Sequence, residues 1–149
     1  MNGVQIRKMT MDDYEESYAL WKASGLHLSA SDEPSEIARL LDRNEGLSFI
    51  AEYGGRIVGT VLGSFDGRRG YVRHLAVAEP LRNRGIGRLL MEQVETAFRE
   101  RGVAQLNLAV ARDNLGVLAF YERLGWFVRE DFVPMSKRID SEGAPDTCC

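Results

Sequence analysis

The sequence predicts an α/β (α+β) protein with one mixed, mostly antiparallel sheet flanked by helices. Segments with strand-like alternation and segments with helical periodicity follow one another along the chain, and a glycine-containing loop joins one strand to a strongly amphipathic helix. The length of 149 residues suits one domain that buries a single core. We expect this domain to span residues 1–138, followed by a disordered tail over residues 139–149.

The first half of the chain predicts a strand, two helices and an antiparallel pair of strands. Strands are predicted over residues 4–9, 47–53 and 56–64, and helices over residues 11–24 and 35–43. Thr10 suits the cap of the first helix and Gly25 its end. Gly54 and Gly55 predict a tight turn between the second and third strands.

The second half predicts strands that alternate with helices. Strands are predicted over residues 70–77 and 104–110, helices over residues 86–101 and 114–124, and a hairpin-like pair of strands over residues 126–135. Asp113 or Asn114 suits the cap of the last helix. The helix after the glycines carries one apolar stripe, which we expect to pack on the sheet: Ile86, Leu89, Leu90, Val94, Ala97 and Phe98.

The loop Arg82-Asn-Arg-Gly-Ile-Gly87 has the features of an anion-binding site. The first N–H groups of the following helix have no intrahelical partner, and the positive end of the helix dipole lies behind them. Gly85 and Gly87 remove side chains that would keep a ligand from the backbone. The P-loop pattern fails because Arg88 follows Gly87, and the dinucleotide pattern fails because position 90 is leucine. The loop therefore predicts a pyrophosphate site of another kind.

Two motifs resemble the GCN5-related N-acetyltransferase (GNAT) family. Arg82-Asn-Arg-Gly-Ile-Gly87 is similar to its Arg/Gln-x-x-Gly-x-Gly/Ala signature, and Leu75-Ala-Val-Ala-Glu-Pro80 is similar to its fourth strand. Asn114-Leu-Gly-Val-Leu-Ala-Phe-Tyr-Glu-Arg-Leu-Gly-Trp126 resembles its second recurring motif. The likeness covers about residues 4–137. It implies the GNAT fold, with six to seven strands, about four helices, and strands 4 and 5 splayed apart.

The resemblance also implies an enzyme that transfers an acetyl group from acetyl-CoA to a primary amine, without a metal. The pantetheine arm would lie between the splayed strands, and the pyrophosphate would bind the N–H groups of the loop. The cofactor-binding residues implied in this way are Leu75, Ala76, Val77, Arg82, Arg84, Gly85, Ile86, Gly87, Arg88 and Asn114. The side chains of Arg82 and Arg84 could contact phosphate or remain solvated, and Asn114 could also serve as a helix cap, a role compatible with cofactor binding.

Acetyl transfer to an amine needs a group that accepts a proton and a group that donates one. By resemblance, Tyr121 is the general acid that protonates the departing CoA thiolate, although its position also suits core packing. The amine is mostly protonated at neutral pH, so a base or water chain must remove a proton. The strand over residues 70–77 contains no carboxylate. His74 is the candidate base, with Tyr71 or a relayed water as alternatives, and a purely structural histidine is also compatible with the pattern.

The amino-acid composition limits the classes of partner that the protein can bind. The net charge of −3 and the absence of a Lys/Arg run argue against nucleic-acid binding, and no apolar run is long enough to cross a membrane. We expect a soluble, cytoplasmic protein, either monomer or homodimer, that acts on a small-molecule amine or a protein amine. Residues Trp21, Leu26, His27 and Leu28 are candidates for the acceptor pocket. Cys148 and Cys149 form no disulfide framework.

A second function of a different class is a non-catalytic module that binds acyl-CoA and regulates a partner. Such a module would have no chemical use for Tyr121. The sequence therefore favours the enzyme, with free-thiol release from acetyl-CoA as the discriminating measurement.

Overall fold

Five strands form one sheet in the order β1-β2-β3-β4-β5. The computed structural model describes residues 2–140, so Cys148, Cys149 and most of the predicted tail lie outside the described residues. The strands are β1 (Gln5–Lys8), β2 (Phe49–Tyr53), β3 (Arg56–Phe65), β4 (Gly70–Val77) and β5 (Leu106–Asn107), and the helices are α1 (Tyr14–Ala23), α2 (Pro34–Arg43), α3 (Ile86–Glu100) and α4 (Leu118–Arg123). Strands β1 to β4 are antiparallel, and β5 is parallel to β4. The predicted fold class is confirmed.

Apolar side chains cover both faces of the sheet. On one face, α3 buries the stripe Ile86, Leu90, Met91, Val94 and Phe98 against β2, β3 and β4. On the other face, Trp21 of α1 and Ile37 of α2 pack with Ile50 and Leu62. The predicted stripe is correct except that Leu89 is exposed and Met91 is buried. Each fully buried large apolar side chain stabilises the fold by about 1.5–3 kcal/mol.

A β-bulge interrupts β4 at His74. Thr60 of β3 pairs with Ala76, whereas Leu62 pairs with Arg73, so two residues of β4 lie opposite one residue of β3. His74 has φ +52°, which is uncommon for a residue other than glycine. The bulge changes the direction of the His74 side chain and bends β4 near the point where β4 separates from β5.

Strands β4 and β5 separate after a short pairing. Only Gly70 with Leu106 and Tyr71 with Asn107 form ladder pairs, while β4 continues to Val77. The splayed strands expected from the resemblance are therefore present. The predicted strand over residues 104–110 is reduced to two residues, because the rest of that segment has no ladder partner in the described part of the chain.

The C-terminal part differs from the prediction. Neither Asp113 nor Asn114 caps a helix: a 3₁₀ turn covers Arg112–Val117, α4 begins only at Leu118, and Asn114 has the non-helical dihedrals φ −129° and ψ 31°. Residues 126–135 form no strand within residues 2–140, so the sheet has five strands instead of six to seven. This segment buries little apolar surface, and Pro134 lacks the N–H group that a strand ladder needs.

The length of a helix decides whether it can span a membrane. The longest helix, α3, has 15 residues, whereas a membrane-spanning helix needs about 20. None of the helices between residues 2 and 140 is long and apolar enough to cross a bilayer.

Candidate active site

A cleft of about 260 Å³ opens where β4 and β5 separate. Its walls come from the loop after α1, from β4, from the segment after β5, and from α4 with the turn before it. Four of the predicted catalytic and cofactor-binding residues line this cleft: His74, Leu75, Asn114 and Tyr121. The fold thus brings together residues from motifs that are far apart in the sequence.

His74 is held on three sides. Its Nε2 atom lies 2.5 Å from Oδ1 of Asp32, and the side chains of His74 and Asp32 are only 7% and 4% exposed. The ring meets the Trp21 ring edge-on, with 4.7 Å between the centroids. Thr60 Oγ1 donates to the His74 carbonyl at 2.8 Å and accepts from Trp21 Nε1 at 2.8 Å. These contacts hold the imidazole in one orientation in the cleft wall.

Tyr121 lies on α4 with its side chain partly buried against the larger core cluster. Its ring packs edge-on against Phe120 and Trp126, at centroid distances of 5.1 and 6.1 Å. Burial raises the pKa of Tyr121 to about 12, because the phenolate is destabilised when it loses water. The phenol therefore keeps its proton at neutral pH, as a general acid must.

The N-terminal end of α3 presents unpaired amide donors. Gly85 is the N-cap residue and has φ +88°, a left-handed conformation that glycine adopts without strain. The first bond in this helix runs from Leu89 N–H to the Gly85 carbonyl at 3.0 Å, so the N–H groups of Ile86, Gly87 and Arg88 have no intrahelical acceptor. No side chain caps this end. The arrangement favours an anion.

Several of the predicted cofactor-binding residues can act only through their backbone. The side chains of Ile86 and Ala76 are buried, on opposite faces of the sheet. Gly87 lies against Phe120 of α4. Leu75 and Val77 pack at the edge of the larger core cluster. In Ala76, Ile86 and Gly87, therefore, only the peptide groups are available to a ligand.

Three arginines surround the end of α3, and two of them have protein partners. Arg82 Nε donates to the Val77 carbonyl at 2.9 Å, which ties the loop to the end of β4. Arg88 Nε lies 2.9 Å from Oε1 of Glu92, one turn further along α3. Arg84 is exposed. All three add positive charge near the unpaired amides.

The cleft is lined by only some of the residues predicted to shape the acceptor pocket. Leu26 and His27 line the cleft, whereas Trp21 and Leu28 do not. Trp21 is fully buried, because it packs under His74. His27 Nε2 lies 2.8 Å from Oδ2 of Asp113, and this contact ties the loop to the turn before α4 across the mouth of the cleft.

The sequence matches the Acetyltransferase (GNAT) family over residues 5–126. The chain belongs to this family. Acetyltransferase SG1711 from Sodalis glossinidius (strain morsitans) is 33% identical to it over 136 residues, which are 91% of this chain and 96% of that relative. The resemblance stated from the two motifs is confirmed, and the protein is a GNAT acetyltransferase.

Solved structures share the fold. Ard1 from Thermoplasma volcanium has a TM-score of 0.77 at 23% identity, over 85% of this chain and 84% of that chain. The PaiA N-acetyltransferase from Thermoplasma acidophilum, in complex with coenzyme A, has a TM-score of 0.75 at 18% identity, over 87% of this GNAT chain and 92% of that chain.

Sequence reasoning missed Asp32 and Thr60. Asp32 ends a Ser-x-x-Asp pattern in which the Ser29 N–H donates to Asp32 Oδ2 at 3.0 Å, so the pattern could have indicated a fixed turn. The contact with His74 joins positions 42 residues apart, and no local pattern carries it. Thr60 lies in a buried strand, where its hydroxyl has no sequence signal.

Proposed function

We propose that this GNAT acetyltransferase transfers an acetyl group from acetyl-CoA to a primary amine of a small molecule or protein. The observation that carries the proposal is that His74, Leu75, Asn114 and Tyr121 line one cleft, although they come from separate motifs. A candidate base, a candidate acid and the strand edge for the cofactor are thus combined in one place. We further propose that residues 1–138 form one catalytic domain and that the protein acts in the cytoplasm.

The groups around the cleft fit coenzyme A. The unpaired N–H groups from Ile86 to Arg88 suit the doubly charged pyrophosphate, with the arginines beside them. The part of β4 beyond Tyr71 has no ladder pairing with β5, so its backbone is available to the amides of the pantetheine arm. Asn114 lies in the opposite wall. The thioester would then lie in the cleft beside Tyr121.

The chemistry follows from the two titratable groups. A proton leaves the acceptor ammonium for His74, and the neutral amine attacks the thioester carbonyl to form the C–N bond. The tetrahedral intermediate collapses, the C–S bond breaks, and the thiolate takes the proton of the Tyr121 hydroxyl. The nitrogen loses its remaining extra proton and thereby restores the phenol, and His74 releases its proton to solvent. One proton is released for each acetyl group transferred.

The experiment that tests this proposal measures free-thiol release from acetyl-CoA with a panel of amines. The panel contains a peptide with a free α-amine, a peptide with a lysine side chain, a polyamine and an aminoglycoside, and the mass gain of each product is read in parallel. We expect thiol release and acetylation of at least one class. Tight acetyl-CoA binding without thiol release for any amine would contradict the proposal and favour the regulatory binding module.

A further inference from the structure

A buried carboxylate lies directly behind His74. Asp32 comes from the loop between α1 and α2, and its side chain is 4% exposed. The Ser29 N–H donates to its Oδ2 at 3.0 Å, and the Tyr14 hydroxyl donates to its carbonyl at 2.6 Å. Burying an ionised carboxylate costs several kcal/mol unless hydrogen bonds compensate, so a donor at Oδ1 stabilises the charge. His74 Nε2 lies 2.5 Å from Oδ1, within reach to donate to it.

The contact with Asp32 favours one tautomer of His74. A carboxylate accepts hydrogen bonds, and Oδ2 already accepts one from a backbone N–H. When the Asp32 carboxyl is ionised, Oδ1 can only accept from Nε2, and the proton of the neutral ring is then on Nε2. The lone pair is then on Nδ1, the nitrogen that can accept a proton from another group. Because the ring lies in the cleft wall, the acceptor amine can supply that proton.

The backbone conformation of His74 supports a functional role for the contact between His74 and Asp32. A residue other than glycine in the left-handed region costs about 1–3 kcal/mol, and such residues concentrate at functional sites. His74 has φ +52° at the bulge of β4, and the Thr60 hydroxyl holds its carbonyl. A histidine that served only to fill the core would need neither this conformation nor a buried carboxylate.

We infer that Asp32 is a positioning residue: it holds His74 with Nδ1 free to accept the proton of the acceptor ammonium. The inference rests on the proposed function. When Nδ1 accepts the proton, the ring becomes an imidazolium and the carboxylate stabilises its charge, while the amine nitrogen keeps the lone pair that attacks the thioester. Asp32 does not line the cleft and touches neither substrate nor cofactor.

The first test reads the ring directly in the full-length protein by two-bond ¹H–¹⁵N correlation of the imidazoles. The chain has two histidines, so a His27→Gln variant assigns the signals. We expect a neutral ring with its proton on Nε2 and a bare Nδ1, and a mixture of the two tautomers in Asp32→Asn. A neutral His74 with its proton on Nδ1, or the same spectrum in Asp32→Asn, would overturn the inference.

The second test measures acetyl transfer to the best amine of the panel. Asp32→Asn should lower kcat about 100-fold, with the KM for acetyl-CoA unchanged, since only proton removal is affected. The matched control is Asp13→Asn. Asp13 is an equally buried carboxylate that accepts from the Thr10 N–H at 2.9 Å and from Arg7, at the far edge of the sheet. This variant should lose stability and keep its kcat once folded.

The possible results of these tests distinguish a failure of the role of Asp32 from a failure of the proposed function. If His74→Gln loses turnover and Asp32→Asn keeps the wild-type kcat, His74 is the base but Asp32 does not position it. If both variants keep the wild-type kcat, the base lies elsewhere, the inference is overturned, and acetyl transfer still stands. If the wild-type protein acetylates no amine, the proposed function fails together with the role of Asp32.

Discussion

Gly87 of α3 and Phe120 of α4 lie so close that a Cβ atom added at position 87 would be 3.3 Å from Phe120 Cζ. The same atom would lie 3.8 Å from Cγ2 of Val77. The contact therefore joins the glycine loop to the helix that carries Tyr121. Sequence reasoning assigned Gly87 to ligand approach, and the structure adds a packing role, because the missing side chain lets α4 lie against α3.

Gly87→Val should destabilise the protein. The added methyl groups meet Phe120 and Val77, and overpacking of this kind costs about 1–3 kcal/mol. The measurement is the free energy of unfolding from urea titration. Gly116→Val is the matched control, because a Cβ atom at position 116 meets nothing within 4 Å, and it should change stability by less than about 0.5 kcal/mol. Equal stabilities for the two variants would contradict the packing role of Gly87.

Gly85→Val should weaken acetyl-CoA binding and should also lower the stability of the protein. Gly85 has φ +88° at the N-terminal end of α3, so a β-branched residue is strained there and costs about 1–3 kcal/mol. Gly102 has φ +76° just beyond the other end of the same helix, with the same open space around it. Gly102→Val should therefore lose similar stability and keep its calorimetric affinity for acetyl-CoA. An unchanged affinity in Gly85→Val would argue that the pyrophosphate binds elsewhere.

Tyr121→Phe should lower kcat by about 10²–10⁴-fold, the range typical for loss of a general acid. Acetyl-CoA affinity should stay nearly unchanged, because the ring and its contacts with Phe120 and Trp126 are kept. The measurement combines steady-state thiol release with calorimetric binding. Tyr53→Phe removes a hydroxyl from an exposed tyrosine and should leave both quantities unchanged. Wild-type turnover in Tyr121→Phe would remove this residue from the mechanism.

The pH dependence of kcat should reflect the raised pKa of the buried Tyr121 side chain. Burial destabilises the phenolate and raises the pKa of Tyr121 to about 12, above the ordinary value of about 10. The protonated, donating form therefore persists as the pH rises through 10, and this group should cause no loss of kcat up to about pH 10.5. A loss of kcat with a midpoint near 10, in protein that circular dichroism shows to be folded, would contradict this assignment.

The sequence predicted the parts of the site that depend on local patterns. The bounds of β4 agree with the prediction because Gly70 and Glu79-Pro80 mark its ends, and the start of α3 followed from the glycines. The bulge at His74 was not predictable, since it comes from the register between β3 and β4. The strands expected over residues 126–135 are absent, since a strand also needs a partner that offers hydrogen bonds and buries its apolar face.

Thr60→Val should destabilise the protein although the two side chains have nearly the same shape. The Thr60 hydroxyl accepts from Trp21 Nε1 and donates to the His74 carbonyl, each at 2.8 Å, at a position with no exposed surface. Valine would leave a buried donor and a buried acceptor without this partner, at about 1–3 kcal/mol for each unsatisfied group. Thr60→Ser keeps the hydroxyl and should lose less, since only a methyl group is removed. Urea unfolding of the three proteins measures the difference, and a valine variant as stable as wild type would mean that the hydroxyl does not hold Trp21 and His74 in place.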